Sequence, residues 1–326
     1  MPLPLSVLDF ASVRSGKTVG EAFQESVELA QAAERLGYER VWYTEHHNMG
    51  SIASAAPAVL IAHIAAQTES IRLGSGGVML PNHAPLIIAE QFGTLAELHP
   101  GRIDLGLGRA PGTDQAAVRA MRRDPRAAEE FPQDVKELQA FLRDESVVPG
   151  LRAVPGAGTN VPLYILGSSM FGATLAAAYG LPYSFASHFA PEALEQATQA
   201  YRAQFQPSEV LDEPYVIAAV NVVGRENPDD AAQELEWYRR SRVRQMAGRG
   251  RELSEEELDL VMHSPAGQQI LNMIRYTAVG DGAQVKQYVE DFAARASADE
   301  IMVAPVGSTS EGAIDSLRVL REAWGR

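Results

Sequence analysis

No cysteine occurs in the 326 residues. Disulfides, thiolate nucleophiles, iron–sulfur clusters and thiolate zinc sites are thereby excluded. Lysine is nearly as scarce, with Lys17, Lys136 and Lys286 the only three. Basic residues number 28 against 42 acidic ones, for a formal net charge of -14. Such a surface repels phosphate backbones and anionic lipid, so nucleic acid and membranes are not expected partners. A local basic pocket for one small phosphate is still compatible with it. No apolar run approaches the roughly 18 residues of a membrane span. The opening MPLPLS has no basic region leading into a long apolar stretch, so no signal peptide is expected and a cytoplasmic protein is.

What is present is a large apolar fraction, 46% against 21% charged, distributed in a regular alternation. Short β-rich runs fall at 3–9, 40–44, 71–80, 103–107, 161–166, 183–187, 215–223 and 300–305, and most precede a helical pattern. The strands are apolar without alternating, as strands buried on both faces are. Eight such units predict an α/β protein, a (β/α)8 TIM barrel forming a single domain over 1–326. An open doubly wound sheet is the other arrangement of the same units. Two polar excursions interrupt the repeat, at about 110–160 after strand four and 228–276 after strand seven. The first contains a charged, poorly amphipathic helix over about 126–143.

In a barrel the chemistry sits where strands end, at the C-terminal face. Strand two ends in Glu45-His46-His47. An imidazole there can move protons near neutrality, or it can simply shape the loop. Adjacent histidines in an extended segment diverge, which argues against a metal site, and none is expected. Strand three carries Gly76-Gly77, a mark of either close backbone approach to a ligand or a tight bend. Past strand four lies Arg109, placed to fork onto a phosphate or to make a structural salt bridge. Strand five runs into Gly167-Ser168-Ser169 before a helix, a phosphate site or a plain N-cap. Strand six ends at Ser187-His188. Residues 11–18 (ASVRSGKT) match a loose P-loop, but the stricter form's first glycine is missing; Thr18 and Glu21 instead predict a capping box.

Together, in order and spacing, these strand ends resemble the bacterial luciferase-like family of flavin monooxygenases. The segments RVWYTEHHN and IRLGSGGVMLPNHAPLIIAEQFGTLAELHPGRIDLGLGRAPGTD, with residues 167–183, carry the likeness. The closing YTAVGDGAQVKQYVEDFAARASADEIMV is also similar. The resemblance makes His46 the catalytic histidine, and Arg109 and Ser168 phosphate ligands. It places a non-proline cis peptide at Gly76-Gly77, packed on the isoalloxazine. The chain departs from bacterial luciferases at Gly167, where they carry an acidic residue, and at Phe171, where they carry a hydroxyl. Gly108 stands where some members have a reactive cysteine. These departures argue against aldehyde oxidation with light emission and leave the phosphate pocket intact.

The resemblance thus implies a monooxygenase that takes reduced FMN, from a separate flavin reductase, and uses O2 to oxygenate a small organic substrate. Arg109 and Gly167, Ser168 and Ser169 would hold the phosphate and Gly76-Gly77 the ring. His46 would assist proton transfer, His188 would line the substrate side, and the excursions would act as lids. A homodimer through the outer helices near strands two and three is also implied. A deazaflavin-dependent hydride transferase and a non-catalytic flavin-binding protein share the barrel and stay open. A Schiff-base lyase has no lysine at a strand end.

Overall fold

The computed structural model describes residues 3–110, 112–124, 126–145, 148–248, 251 and 253–325. In chain order the elements are β1 (Leu5–Asp9), α1 (Val19–Leu36), β2 (Arg40–Tyr43), α2 (Pro57–Ala65), β3 (Arg72–Met79), α3 (Pro85–Leu98), β4 (Ile103–Gly108), α4 (Gln115–Ala120), α5 (Ala127–Leu142), β5 (Leu163–Gly167) and α6 (Met170–Tyr179). There follow β6 (Tyr183–Phe185), α7 (Leu194–Gln204), β7 (Val216–Gly224), α8 (Pro228–Gly248), α9 (Glu255–His263), α10 (Pro265–Met273), β8 (Thr277–Gly280), α11 (Gly282–Ala296), β9 (Glu300–Pro305) and α12 (Ser310–Trp324).

Strands β1 to β6 pair in order, β6 pairs with β7, β7 with β9, and β9 returns to β1, every pairing parallel. This is a closed barrel of eight strands ringed by helices, as the alternation of units predicts. The strand expected as the eighth, residues 300–305, is β9 and closes the ring. A further short strand went unread in the sequence: β8 pairs with the far half of β7, Asn221–Gly224, outside the closed ring. Its four residues, TAVG, are too short to stand out from the helices on either side.

Local signals place the outer helices. Thr18 and Glu21 form the expected capping box at the start of α1, and Gly37 ends that helix at φ 77°. Proline occupies the first turn of α2 and α3, where its missing N–H costs nothing. Helix α5 corrects the sequence reading, for it is amphipathic: Phe131, Val135, Leu138, Phe141 and Leu142 are all buried. The stripe is spaced as one helical face, and its charged neighbours hide it from a count of polar residues.

The barrel interior is layered. At its N-terminal end Arg40 donates to Glu300 (2.9 Å), Asp104 (2.7 Å) and the Tyr164 hydroxyl (2.8 Å). Tyr215 donates to Glu300 at 2.7 Å, and Arg72 and Ser6 also donate to these carboxylates. Buried charge is tolerable when it is paired and hydrogen-bonded in this way. Above this layer Leu8, Trp42, Ile217, Ala219 and Met302 pack as an apolar plug. The plug is the floor on which the C-terminal mouth rests. Among the described residues no helix is long and apolar enough to cross a membrane.

Candidate active site

The segment after β2 is fixed by a buried carboxylate. The Glu45 side chain is fully buried and accepts from the Met79 backbone N–H at 3.0 Å, from His47 Nε2 at 2.9 Å and from His83 Nε2 at 2.8 Å. Burial opposes its ionisation, yet these donors and the charge of His83 outweigh that and hold it at about 2. The Glu-His-His run therefore divides its labour. Glu45 binds the β2 loop to the β3 loop through Met79 and His83, His47 braces Glu45 and the segment after β4 through Gly112 and Thr113, and His46 is left to face the mouth.

His46 is half-buried, with Nδ1 3.0 Å from the Thr44 hydroxyl, which lies 2.8 Å from Ser54 Oγ. This chain fixes the ring and leaves Nε2 for other use. Phe10, just past β1, joins it to the second expected histidine: its ring lies 6.2 Å from that of His46 and 5.8 Å from that of His188. His188 is buried, and its Nδ1 has no hydrogen-bond partner among the described residues. Burial lowers both rings, at His46 against the raising charge of Glu45 and with smaller help from His47 and Arg242, and at His188 with help from Arg242, so that His188 is pushed down to about 3. Both are neutral imidazoles near pH 7, each able to donate one proton and accept another. Asn221 of β7 donates to the His188 carbonyl at 2.7 Å and pins that loop.

The Gly76–Gly77 peptide is cis. Neither position has room for a side chain. A Cβ on Gly76 would stand 2.8 Å from Leu8 Cδ1 and 3.0 Å from Trp42 Cβ. On Gly77 it would meet the Gly106 carbonyl at 2.7 Å. The register slips between Ser75 and Val78, so the strand bulges at this point. The result is a bare stretch of backbone lying on the apolar plug, a surface suited to a flat ring.

On the neighbouring strands the phosphate candidates converge. Gly108 of β4 is in register with Leu166 of β5, so Arg109 and Gly167 leave the barrel side by side. The Arg109 guanidinium lies 3.9 Å from the centroid of the Phe171 ring, at the first turn of α6. Among the described residues no carboxylate pairs with it. Ser169 stands at the N-cap of α6 yet makes no side-chain cap bond, and Ser168 and Ser169 are exposed. The salt-bridge and plain N-cap alternatives are both unrealised. An open helix N-terminus beside an unpaired arginine fits a phosphate monoester. These features and the glycine wall fit a flavin mononucleotide.

The excursion after strand seven, expected to act as a lid, supplies the helix over the mouth; which of its side chains reach inward was not legible. Helix α8 crosses it: Tyr238 donates to Asn221 Oδ1 at 3.2 Å, and Gln245 donates to Ser51 Oγ, in the β2 loop, at 2.5 Å. Between them Arg242 comes within electrostatic reach of His46 and His188. It sits in an arginine-rich stretch, RRSRVR, whose composition cannot say which member turns inward. Phe10 was equally invisible, being one more apolar residue after a strand.

Comparison with known proteins agrees with this geometry. The family model described as "Luciferase-like monooxygenase" matches residues 3–300. YvbT of Bacillus subtilis (strain 168) is 44% identical over 325 residues, covering 98% of this chain and 96% of that one. A protein of Escherichia coli (strain K12) named luciferase-like monooxygenase is 44% identical over 304 residues, 92% of this chain and 91% of its own. Among solved structures apo-MsnO8 superposes with a TM-score of 0.88 at 34% identity, covering 99% of this chain and 98% of its own.

Proposed function

Because this chain belongs to the luciferase-like monooxygenase family, and is a flavin-dependent oxidoreductase on that ground, we propose that its reaction uses reduced FMN and O2 to oxygenate a small organic substrate. The observation that carries the cofactor assignment is the unpaired Arg109 stacked on Phe171 at the uncapped start of α6. Reduced FMN, when bound, supplies the electrons that activate O2 and so allow one oxygen atom to enter the substrate.

The chain's own residues do the rest. Arg109 and the backbone N–H groups after Ser168 and Ser169 hold the phosphate, helped by the positive end of α6. Gly76 and Gly77 present bare backbone to the ring. His46, neutral and oriented by Thr44, accepts or returns a proton at Nε2. Helix α8 closes over the mouth and excludes water. Gly106-x-Gly108 lacks the third glycine of a dinucleotide fingerprint, so a separate reductase supplies the reduced flavin, in the cytoplasm. Exposed Val59 on α2 and Ile87 and Leu98 on α3 support a homodimer through those helices.

Two solved barrels of this fold frame the alternative cofactor. One, 15% identical, is described as a Baeyer–Villiger monooxygenase component in complex with FMN, and another, 16% identical, as an F420-dependent secondary alcohol dehydrogenase. Likeness at that level carries the fold alone. Anaerobic titration with reduced FMN and with reduced F420, followed by rapid mixing with O2, separates the readings. Preferential FMN binding and oxidation on the protein much faster than of free dihydroflavin after its first lag, coupled to substrate, is the expected result. Selective binding of F420 overturns the cofactor. Tight FMN binding with no turnover of any substrate makes the protein a carrier.

A further inference from the structure

Helix α8 lays one stripe of side chains on the barrel mouth. Glu234, Tyr238, Arg242 and Gln245 recur at the three- and four-residue spacing that shares a helical face. Three of the four are engaged with the rim. Glu234 accepts from the Ser308 backbone N–H and pairs with Arg225 at 3.1 Å. Tyr238 and Gln245 make the Asn221 and Ser51 contacts given above. Arg242 is different. It donates to Gln245 Oε1 at 3.1 Å and reaches the Met246 sulfur at 4.0 Å, while its Nε is buried with no partner among the described residues. No carboxylate among the described residues pairs with it. Its neighbours in sequence are paired outward: Arg240 with Glu255 and Asp259, Arg244 with Glu255.

A second orphan lies on the loop that α8 reaches through Tyr238 and Asn221. His188 Nδ1, on the loop after β6, is likewise buried without a hydrogen-bond partner. Buried polar atoms are almost always satisfied, and exceptions gather where a ligand belongs. Here two exceptions, one cationic, come from α8 and from the loop after β6, which Tyr238 and Asn221 join. A guanidinium asks for an oxyanion, and a neutral imidazole supplies one further N–H. The phosphate place is already provided at Arg109, on a separate pair of strands. A protein of net charge -14 repels anions in general, so a second arginine at its mouth with no carboxylate partner among the described residues is a local exception to that field.

We propose that Arg242 and His188 together bind a carboxylate of the substrate, so that Arg242 is a specificity-determining residue and the enzyme acts on organic acids. The proposal rests on reading this mouth as the active site. Both histidines are depressed by burial and by Arg242, consistent with a site that meets its anion with one permanent charge and neutral donors.

Calorimetric titration of the FMN-loaded protein with hexanoate and with hexanamide tests it. These probes match in length and differ in charge. Wild type is expected to bind hexanoate at least tenfold more tightly than hexanamide. Arg242→Met should abolish that preference, Arg242→Lys should keep part of it, and FMN affinity should change less than twofold in both. Equal binding of the two probes to wild type, binding of neither, or a preference intact in Arg242→Met overturns the proposal. So does a loss of FMN affinity in Arg242→Met as large as that in Arg109→Ala, which would give the arginine to the cofactor. If wild type fails to bind FMN, the cofactor reading fails instead, and the same probe pair titrated into flavin-free protein still decides the role of Arg242.

Discussion

Arg109 and Phe171 are stacked, guanidinium carbon to ring centroid 3.9 Å, and this contact joins the end of β4 to the first turn of α6. The arginine is thereby held in place without being neutralised. A cation–π contact fixes direction at little cost to the charge, whereas a carboxylate partner would have consumed it. The position at which bacterial luciferases carry a hydroxyl is thus used here to orient the neighbouring arginine.

Arg109→Ala is expected to weaken FMN binding by about 1.5–3 kcal/mol, the range for a hydrogen bond to a charged group. Phe171→Ala, which frees the arginine without removing it, should cost less, about 0.5–2 kcal/mol. Fluorescence titration of FMN measures both. Unchanged affinity in Arg109→Ala would place the phosphate elsewhere.

His46→Ala should leave FMN affinity intact and slow substrate oxygenation by about 10²-fold or more, the usual loss of a positioned acid–base group. His46 titrates below its ordinary value, chiefly through burial, so the midpoint of its NMR titration in wild type should lie below 6.5. A midpoint above that value would contradict the buried, neutral ring.

The glycine wall gives a contrast between two substitutions of one kind. Gly77→Ala drives a Cβ onto the Gly106 carbonyl and should destabilise by about 1–3 kcal/mol, as overpacking does. Gly20→Ala, in the exposed first turn of α1 with only Thr18 Oγ1 at 4.0 Å, should be neutral or stabilise by up to about 1 kcal/mol. Denaturant unfolding of the two variants is the measurement, and equal effects would refute the crowding at Gly77.

Glu45 gives an acid-side dependence with a defined sign. Its carboxyl falls from 4.5 to about 2 on folding. Its contribution is present above the unfolded value and disappears as pH falls from about 4.5 through about 2. At about 1.36 kcal/mol per unit this is on the order of 3 kcal/mol. Glu45→Gln should therefore show a shallower loss of stability between pH 5 and 2.5 than wild type. Parallel curves for the two proteins would show that the carboxylate is not held this way.

Much of this was legible in the sequence because it is written in local terms. Eight apolar runs separated by helical patterns are a barrel, since strands buried on both faces admit few other arrangements. Position just past a strand singled out His46, Arg109, Ser168, Ser169 and His188, because strand direction alone puts those residues at the C-terminal rim, and Gly76 and Gly77 stood out as paired glycines within a strand. The capping box of Thr18 and Glu21 was equally readable, being a four-residue rule.

What the sequence could not show is what depends on distance through space. Strand β8 exists because β7 offers it an edge. Whether Arg109 would be consumed by a carboxylate, and which arginine of RRSRVR would turn toward the histidines, are questions of packing between segments far apart in the chain. Arg242 and His188 are 54 residues apart and became a pair only when α8 folded back across the mouth. Sequence fixes the period of each element and the chemistry of each side chain. Tertiary packing decides which polar atoms are satisfied, and so which are left to bind something else.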